Sequence, residues 1–181
     1  YFASMATFIL LYGVFISFVP FLMRGRFHST PVEIGVVLFS ASLATFLGSL
    51  NLGTIAGRIR TIVLIPLSFF LYTGAILIFL PLPHPLLLVM PALIYGFANG
   101  VNIPSTQVGI AIRVPMEYRA GLMSLNSVVL RTGQTVGPLA AGAVHIRWGV
   151  QGVFVFGAIF AFVTGIMLFY LLNVNMQRPA K

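Results

Sequence analysis

The sequence predicts an all-α membrane protein, a bundle of six transmembrane helices. Three observations predict it. Of 181 residues, 59% are hydrophobic and 7% charged, with a mean hydropathy of +1.06, whereas soluble domains are about 45–50% apolar and about 25% charged. Six apolar runs each approach the ~20 residues needed to cross the hydrocarbon core. The gaps between them are short, and the runs lack the polar/apolar alternation of a barrel strand.

Span one is expected over Phe2–Met23, closed by "RGRFHSTP", which supplies a glycine and a proline for a turn. Span two, Val32–Leu52, ends before "GRIR". Span three, Thr61–Leu80, reads "TIVLIPLSFFLYTGAILIFL"; it is bulky, nearly without strong polar groups, and therefore suited to facing lipid. "PLPHP" then breaks the chain before span four, Leu86–Ile112. "RVPMEYR" leads to span five, Ala120–Ile146, and "RWGVQG" to span six, Val153–Leu172, which is as apolar as span three. Loops this short favour an antiparallel, compact bundle.

Net charge is +8, from ten Lys/Arg against Glu33 and Glu117. No basic, aromatic-interleaved soluble surface exists to carry nucleic acid, so that class is set aside. The bases mark orientation instead. Arg58, Arg60, Arg113, Arg119, Arg178 and Lys181 fall on the side of both chain ends, and Arg24, Arg26 and Arg147 on the other. The excess predicts cytoplasmic termini in a multi-pass protein of the plasma (inner) membrane. The chain has no cysteine, which removes disulfides and thiol nucleophiles. It has no Gly-x-Ser-x-Gly, His-Glu-x-x-His or nucleotide-binding glycine loop, and its three histidines are scattered, so no catalytic residue, metal or cofactor is expected. Tyr1 is not an initiator methionine and no basic segment precedes the first apolar run, so the chain reads as part of something longer.

Spans four and five carry the polar groups and read as buried in protein. On span four, Tyr95, Asn99, Asn102 and Thr106 recur at helical spacing on one face. Gly96 and Gly100 lie four apart on a neighbouring face, which permits close helix approach. Such asparagines either join helices, at about 0.6 kcal/mol per bond, or line a cavity. Ser124, Ser127, Arg131 and Gln134 form a comparable face on span five, with Gly133, Gly137, Pro138 and Gly142 on another side. Arg131 lies near mid-membrane, where insertion costs at least about 2.5–3.5 kcal/mol. It is therefore expected to meet backbone carbonyls at a helix break, a polar cavity or a charge partner, and not acyl chains.

"GFANGVNIPSTQVGIAIRVPMEY" and "RAGLMSLNSVVLRTGQTVGPLAAG" together resemble the major facilitator superfamily of transporters. "GTIAGRIR" is similar to that family's loop signature Gly-x-x-x-Asp-Arg-x-Gly-Arg: Gly53 and Arg58 match, Gly57 stands for the aspartate, and Arg60 and Thr61 for the last two residues. Gly133, Gly137, Pro138 and Gly142 resemble the family's antiporter-associated Gly-x-x-x-Gly-Pro-x-x-Gly-Gly, with Ala141 in place of one glycine. The resemblance covers the chain and implies helices seven to twelve of a twelve-helix transporter whose amino-terminal half is the missing partner. It implies spans one and four along the path, two and five at the seam, and three and six in lipid. Tyr95, Asn99, Asn102, Ser127, Arg131 and Gln134 are then the substrate-binding candidates, and Gly53, Arg58, Gly133, Gly137, Pro138 and Gly142 the gating and packing ones. The implied activity is secondary transport of a small molecule by alternating access, with efflux by antiport leading and metabolite uptake by symport or uniport the alternative. A six-helix channel is a remote third reading, because "NIPS" at 102–105 is not a filter and has no second copy.

Overall fold

The computed structural model describes residues 1–112 and 114–176. Arg113, Arg178 and Lys181, which entered the orientation count, lie outside the described residues. The chain forms α1 (Phe2–Phe27), α2 (Pro31–Arg58), α3 (Thr61–Ile78), α4 (Pro85–Ile112, opening with a 3₁₀ turn) and one long helical run from Arg119 to Met176. Five runs are thus long and apolar enough to cross a membrane, against the six expected. The difference lies in the last. A span of 56 residues, Met116–Leu171, exceeds any single crossing of about 17–25 residues, and the run is broken at Gly149, where φ is 67° and ψ −171°. That positive φ is open to glycine and strained for other residues. The chain turns back there, so α5 (119–148) and α6 (150–176) are two passes.

Contacts along α1 establish the reversal. Tyr1 donates to the Leu122 carbonyl at 3.3 Å, Gly13 abuts Gly137, and the Phe18 ring lies 5.3 Å from that of His145, so α5 runs parallel to α1. Leu168 sits with Tyr1 in one pocket and Gly157 meets Val14, so α6 runs the opposite way.

Local chemistry explains the first turn. His28 adopts φ 51°, ψ 35° and ends α1. Thr30 then caps α2: Glu33 N donates to Thr30 Oγ1, and Thr30 N donates to Glu33 Oε2 at 2.7 Å. This reciprocal box satisfies two otherwise orphaned amides, and Pro31 occupies the first helical position, where no amide is needed. At its other end α2 continues through "AGR" to Arg58, six residues beyond the expected limit. A base in the last turn suits the negative end of the helix dipole.

Small residues set the helix spacing. Alanine side chains at Gly96 and Gly100 would overlap the Ala41 and Thr45 carbonyls, so α2 and α4 touch backbone to backbone. Thr45 Oγ1 and Ser49 Oγ donate to the Gly96 and Gly100 carbonyls, both at 3.0 Å. The Gly100 carbonyl is the one Pro104 leaves without its helical donor, and Ser49 supplies a replacement. A second close seam joins α1 to α5. A Cβ at Gly13 would lie 2.6 Å from the Gly137 carbonyl, and one at Gly133 2.8 Å from the Met5 carbonyl. Here α1 widens into a π-helical stretch, Ile9–Ile16, whose Tyr12 carbonyl accepts from Ser17 Oγ at 2.6 Å.

The centre is aromatic. Phe15, Phe69, Tyr72, Phe79, Tyr95 and Phe154 are buried and join α1, α3, α4 and α6. Phe15 stacks on Tyr95 at 4.5 Å and 6°, and Tyr72 meets Tyr95 at 4.8 Å. Such pairs contribute about 0.5–1.5 kcal/mol each beyond area burial. α6 turns Val155, Phe156, Ile159, Phe162, Val163 and Ile166 outward, a surface compatible with acyl chains.

Candidate functional site

The six residues singled out on the polar faces fall into three places. Tyr95 and Asn99 lie at a cavity of about 430 Å³ between α1, α2 and α4, shared with Leu11, Phe15, Ile16, Leu38, Ala41, Ser42, Thr45 and Gly96. Its volume suits a small organic ligand. No charged side chain lines it. Asn99 Oδ1 accepts from the Tyr72 hydroxyl at 3.0 Å, which fixes the amide against α3.

The Tyr95 hydroxyl is buried with no hydrogen-bond partner. A buried unsatisfied hydroxyl costs about 1–3 kcal/mol. Tyr95→Phe is therefore expected to leave thermal unfolding in detergent unchanged or to raise stability by about 1 kcal/mol. A clear fall in the melting midpoint would mean that the hydroxyl has a partner.

Asn102 points elsewhere. Its Oδ1 accepts from Thr7 Oγ1 at 2.8 Å, and its Nδ2 donates to the Ile65 carbonyl at 3.4 Å, so it ties α4 to α1 and α3. It lines a second space of only about 10 Å³, with Ser4, Thr7, Thr106 and Asn126. That is room for one water. Ser4 Oγ and Asn126 Oδ1 both end there, buried and unpartnered. Ser4, Thr7 and Asn126 escaped the sequence reading. A hydroxyl three residues from Thr7, and an asparagine seven residues before Gly133 and so on the glycine face of α5, were the available signal.

Ser127, Arg131 and Gln134 occupy the third place, on α5. This helix is less buried than its polarity suggested: Ser124, Ser127, Arg131 and Thr135 are exposed, Gln134 is half-buried, and Asn126, Gly133, Gly137 and Ala141 are its buried positions among the described residues. The periodicity marked distinct faces correctly but could not say which of them neighbouring helices would cover. The exposed side is itself divided. Its apolar edge carries Leu125, Val128, Val136 and Leu139. The polar edge lies beside Leu130, which shares the small cavity with Asn102, Ile103 and Thr106 of α4. Leu122, on the far side, shares a pocket with Leu168 of α6 and with Thr106, Gly109 and Ile110 of α4. With ~3.6 residues per turn, Ser127, Arg131 and Gln134 thus lie along the edge next to Leu130, and the apolar residues along the edge next to Leu122.

The packing candidates also divide. Gly133 and Gly137 sit against α1, whereas Gly142 and Gly53 have nothing within 4 Å of a built Cβ. Pro138 is half-buried, directly after Gly137. Gly53 and Arg58 are exposed near the end of α2.

Comparison with known families resolves what these elements belong to. The family model of the Major Facilitator Superfamily matches residues 1–181. The chain belongs to the Major Facilitator Superfamily. Comparison with individually curated proteins gives no match. As a superfamily member the protein is a multi-pass membrane transporter, and members of this superfamily are transporters rather than enzymes.

Proposed function

We propose that this chain is the carboxyl-terminal six-helix half, helices seven to twelve, of a secondary transporter in the plasma membrane with both chain ends cytoplasmic. It moves a small molecule outward by antiport, through alternating access. The observation that carries the substrate site is the uncharged, aromatic-walled cavity between α1, α2 and α4. Tyr95 and Asn99 are its polar handles, and Phe15 gives a stacking face. Ser127, Arg131 and Gln134 extend the polar path along the exposed edge of α5 next to Leu130. Asn102 supports the site by holding three helices together.

The antiport direction is supported by the Gly133, Gly137 and Pro138 row. Backbone-to-backbone contact with the π-helical part of α1 leaves few interdigitated side chains to resist sliding. π-helical turns are frequent at functional sites. Within the described spans no Asp or Glu side chain is central: Glu33 caps α2 and Glu117 precedes α5. The proton-carrying group is accordingly assigned to the amino-terminal half.

Ser42 tests the reading. It lines the cavity, is exposed, and bonds only locally, to the Leu38 carbonyl at 3.1 Å. Ser42→Phe should fill the cavity without disturbing the fold. In proteoliposomes of the complete transporter, gradient-driven export of an uncharged aromatic substrate should fall at least about tenfold, equivalent to ~1.4 kcal/mol, with the melting midpoint unchanged. Undiminished export by this variant would remove the cavity from the pathway. Export indifferent to an imposed pH gradient would remove proton antiport.

A further inference from the structure

The end of the bundle opposite the chain termini carries a groove of about 580 Å³ between the end of α1 and the α5–α6 reversal. Phe21, Gly25 and Arg26 line one wall, and Trp148 and Gln151 the other. It shares no residue with the cavity between α1, α2 and α4. Phe21 is 59% and Trp148 63% exposed. Two large aromatic rings left this open at a helix end suit the boundary between headgroups and acyl chains. Gly25 has nothing within 4 Å of a built Cβ, so this part of the groove is unobstructed.

Arg26 is held in place on two sides. Its Nη1 donates to the Leu80 carbonyl beyond the end of α3, and its guanidinium lies 5.2 Å from the centroid of the Phe27 ring. A guanidinium has five N–H donors in a planar fork, so donors remain for a ligand in the groove. Arg147 lies 5.5 Å from the Trp148 ring, and Arg24 is exposed on the same end. These arginines sit opposite the side where basic residues gather, so orientation does not explain them. The acidic residue at this end, Glu33, already accepts from Thr30 N and Oγ1.

We propose that this groove binds an anionic phospholipid from the leaflet opposite the chain termini. The phosphate accepts from Arg26, with Arg24 and Arg147 adding positive potential, and the glycerol and upper acyl chain lie along Phe21 and Trp148. Basic pockets between transmembrane helices bind anionic headgroups on the cytoplasmic side of membranes; this groove sets the same charge beside open aromatic surface at the opposite end. A bound lipid would brace the α5–α6 reversal against α1 and α3.

The test uses the complete transporter in nanodiscs of phosphatidylcholine, with and without added phosphatidylglycerol. Phosphatidylglycerol should raise the melting midpoint, and native mass spectrometry should find it retained after delipidation. Arg26→Gln and Trp148→Ala should each lose both effects. Arg26→Gln also removes the bond to the Leu80 carbonyl, so Trp148→Ala, an exposed side chain, is the variant that separates lipid binding from folding. Equal retention by wild type and Trp148→Ala would overturn the proposal. So would full reproduction of the stabilisation by soluble glycerol 3-phosphate, which would identify a free-phosphate site instead of a lipid site.

Discussion

Gly96→Val is expected to abolish assembly of the bundle. The new Cβ would overlap the Ala41 carbonyl, and that neighbour is helix backbone, not a flexible side chain. α2 and α4 would have to separate, and overpacking of this kind costs about 1–3 kcal/mol, occasionally more. Separation would also break the bonds from Thr45 and Ser49 to the Gly96 and Gly100 carbonyls, each about 0.6 kcal/mol by the average for such bonds in membranes. Together these come to about 2–4 kcal/mol, most of the stability of a domain at the low end of the usual range of about 5–15 kcal/mol, before strain spreads to the aromatic centre beside Tyr95. The measurement is the yield of monodisperse protein after detergent extraction, with its melting midpoint. Gly74→Ala is the control, because a Cβ at Gly74 meets nothing within 4 Å and alanine favours the helix by up to ~1 kcal/mol. Normal yield from Gly96→Val would show that α2 and α4 do not meet at this seam.

Arg131→Leu should leave expression and melting intact yet reduce transport at least about tenfold, equivalent to ~1.4 kcal/mol of barrier. The side chain is exposed on α5 and none of the hydrogen bonds described here depends on it, so the fold loses little. At mid-membrane a charge left in acyl chains costs about 2.5–3.5 kcal/mol or more, which makes a polar setting for this edge of α5 the consistent one. Arg131→Lys keeps charge and loses the planar fork, so it should retain transport only in part. This chain contributes no cysteine, which permits a direct assay of surroundings. Arg131→Cys should react with a water-soluble thiol reagent, whereas Leu139→Cys, on the apolar edge, should not. Wild-type kinetics in Arg131→Leu, together with an unreactive Arg131→Cys, would place this side chain in lipid and end its role in the path.

Several features were legible along the chain before any coordinates. Pro31 after Thr30, with Glu33 three residues on, marks the start of α2 but went unread, the span being expected from Val32. The four-residue step from Gly96 to Gly100 announced a close helix contact. Its complement, Ala41, Thr45 and Ser49 at the same step on α2, was equally visible but went unread, because small and hydroxyl residues are common in apolar spans. Helical spacing puts Tyr95, Asn99, Asn102 and Thr106 on one helix face, and all four are buried. Yet the structure sends Asn99 to Tyr72, Asn102 to Thr7 and Ile65, and leaves the Tyr95 hydroxyl alone. One sequence face became three environments, since α1, α2 and α3 each cover a different length of it.

Hydropathy and spacing alone determined that this chain is helical, crosses the membrane repeatedly and places polar groups on chosen helix faces. Those properties depend on residues within a turn or two of one another, where the 3.6-residue period acts directly. Tertiary structure alone decided that α1 widens at Ile9–Ile16, that Arg119–Met176 folds back at Gly149, and that α5 shows Arg131 at the bundle surface while Gly133 and Gly137 press on α1. These outcomes depend on which distant helix arrives at each face, and in a bilayer that choice rests on backbone fit and on bonds between helices, because acyl chains cover an apolar face as well as another helix does.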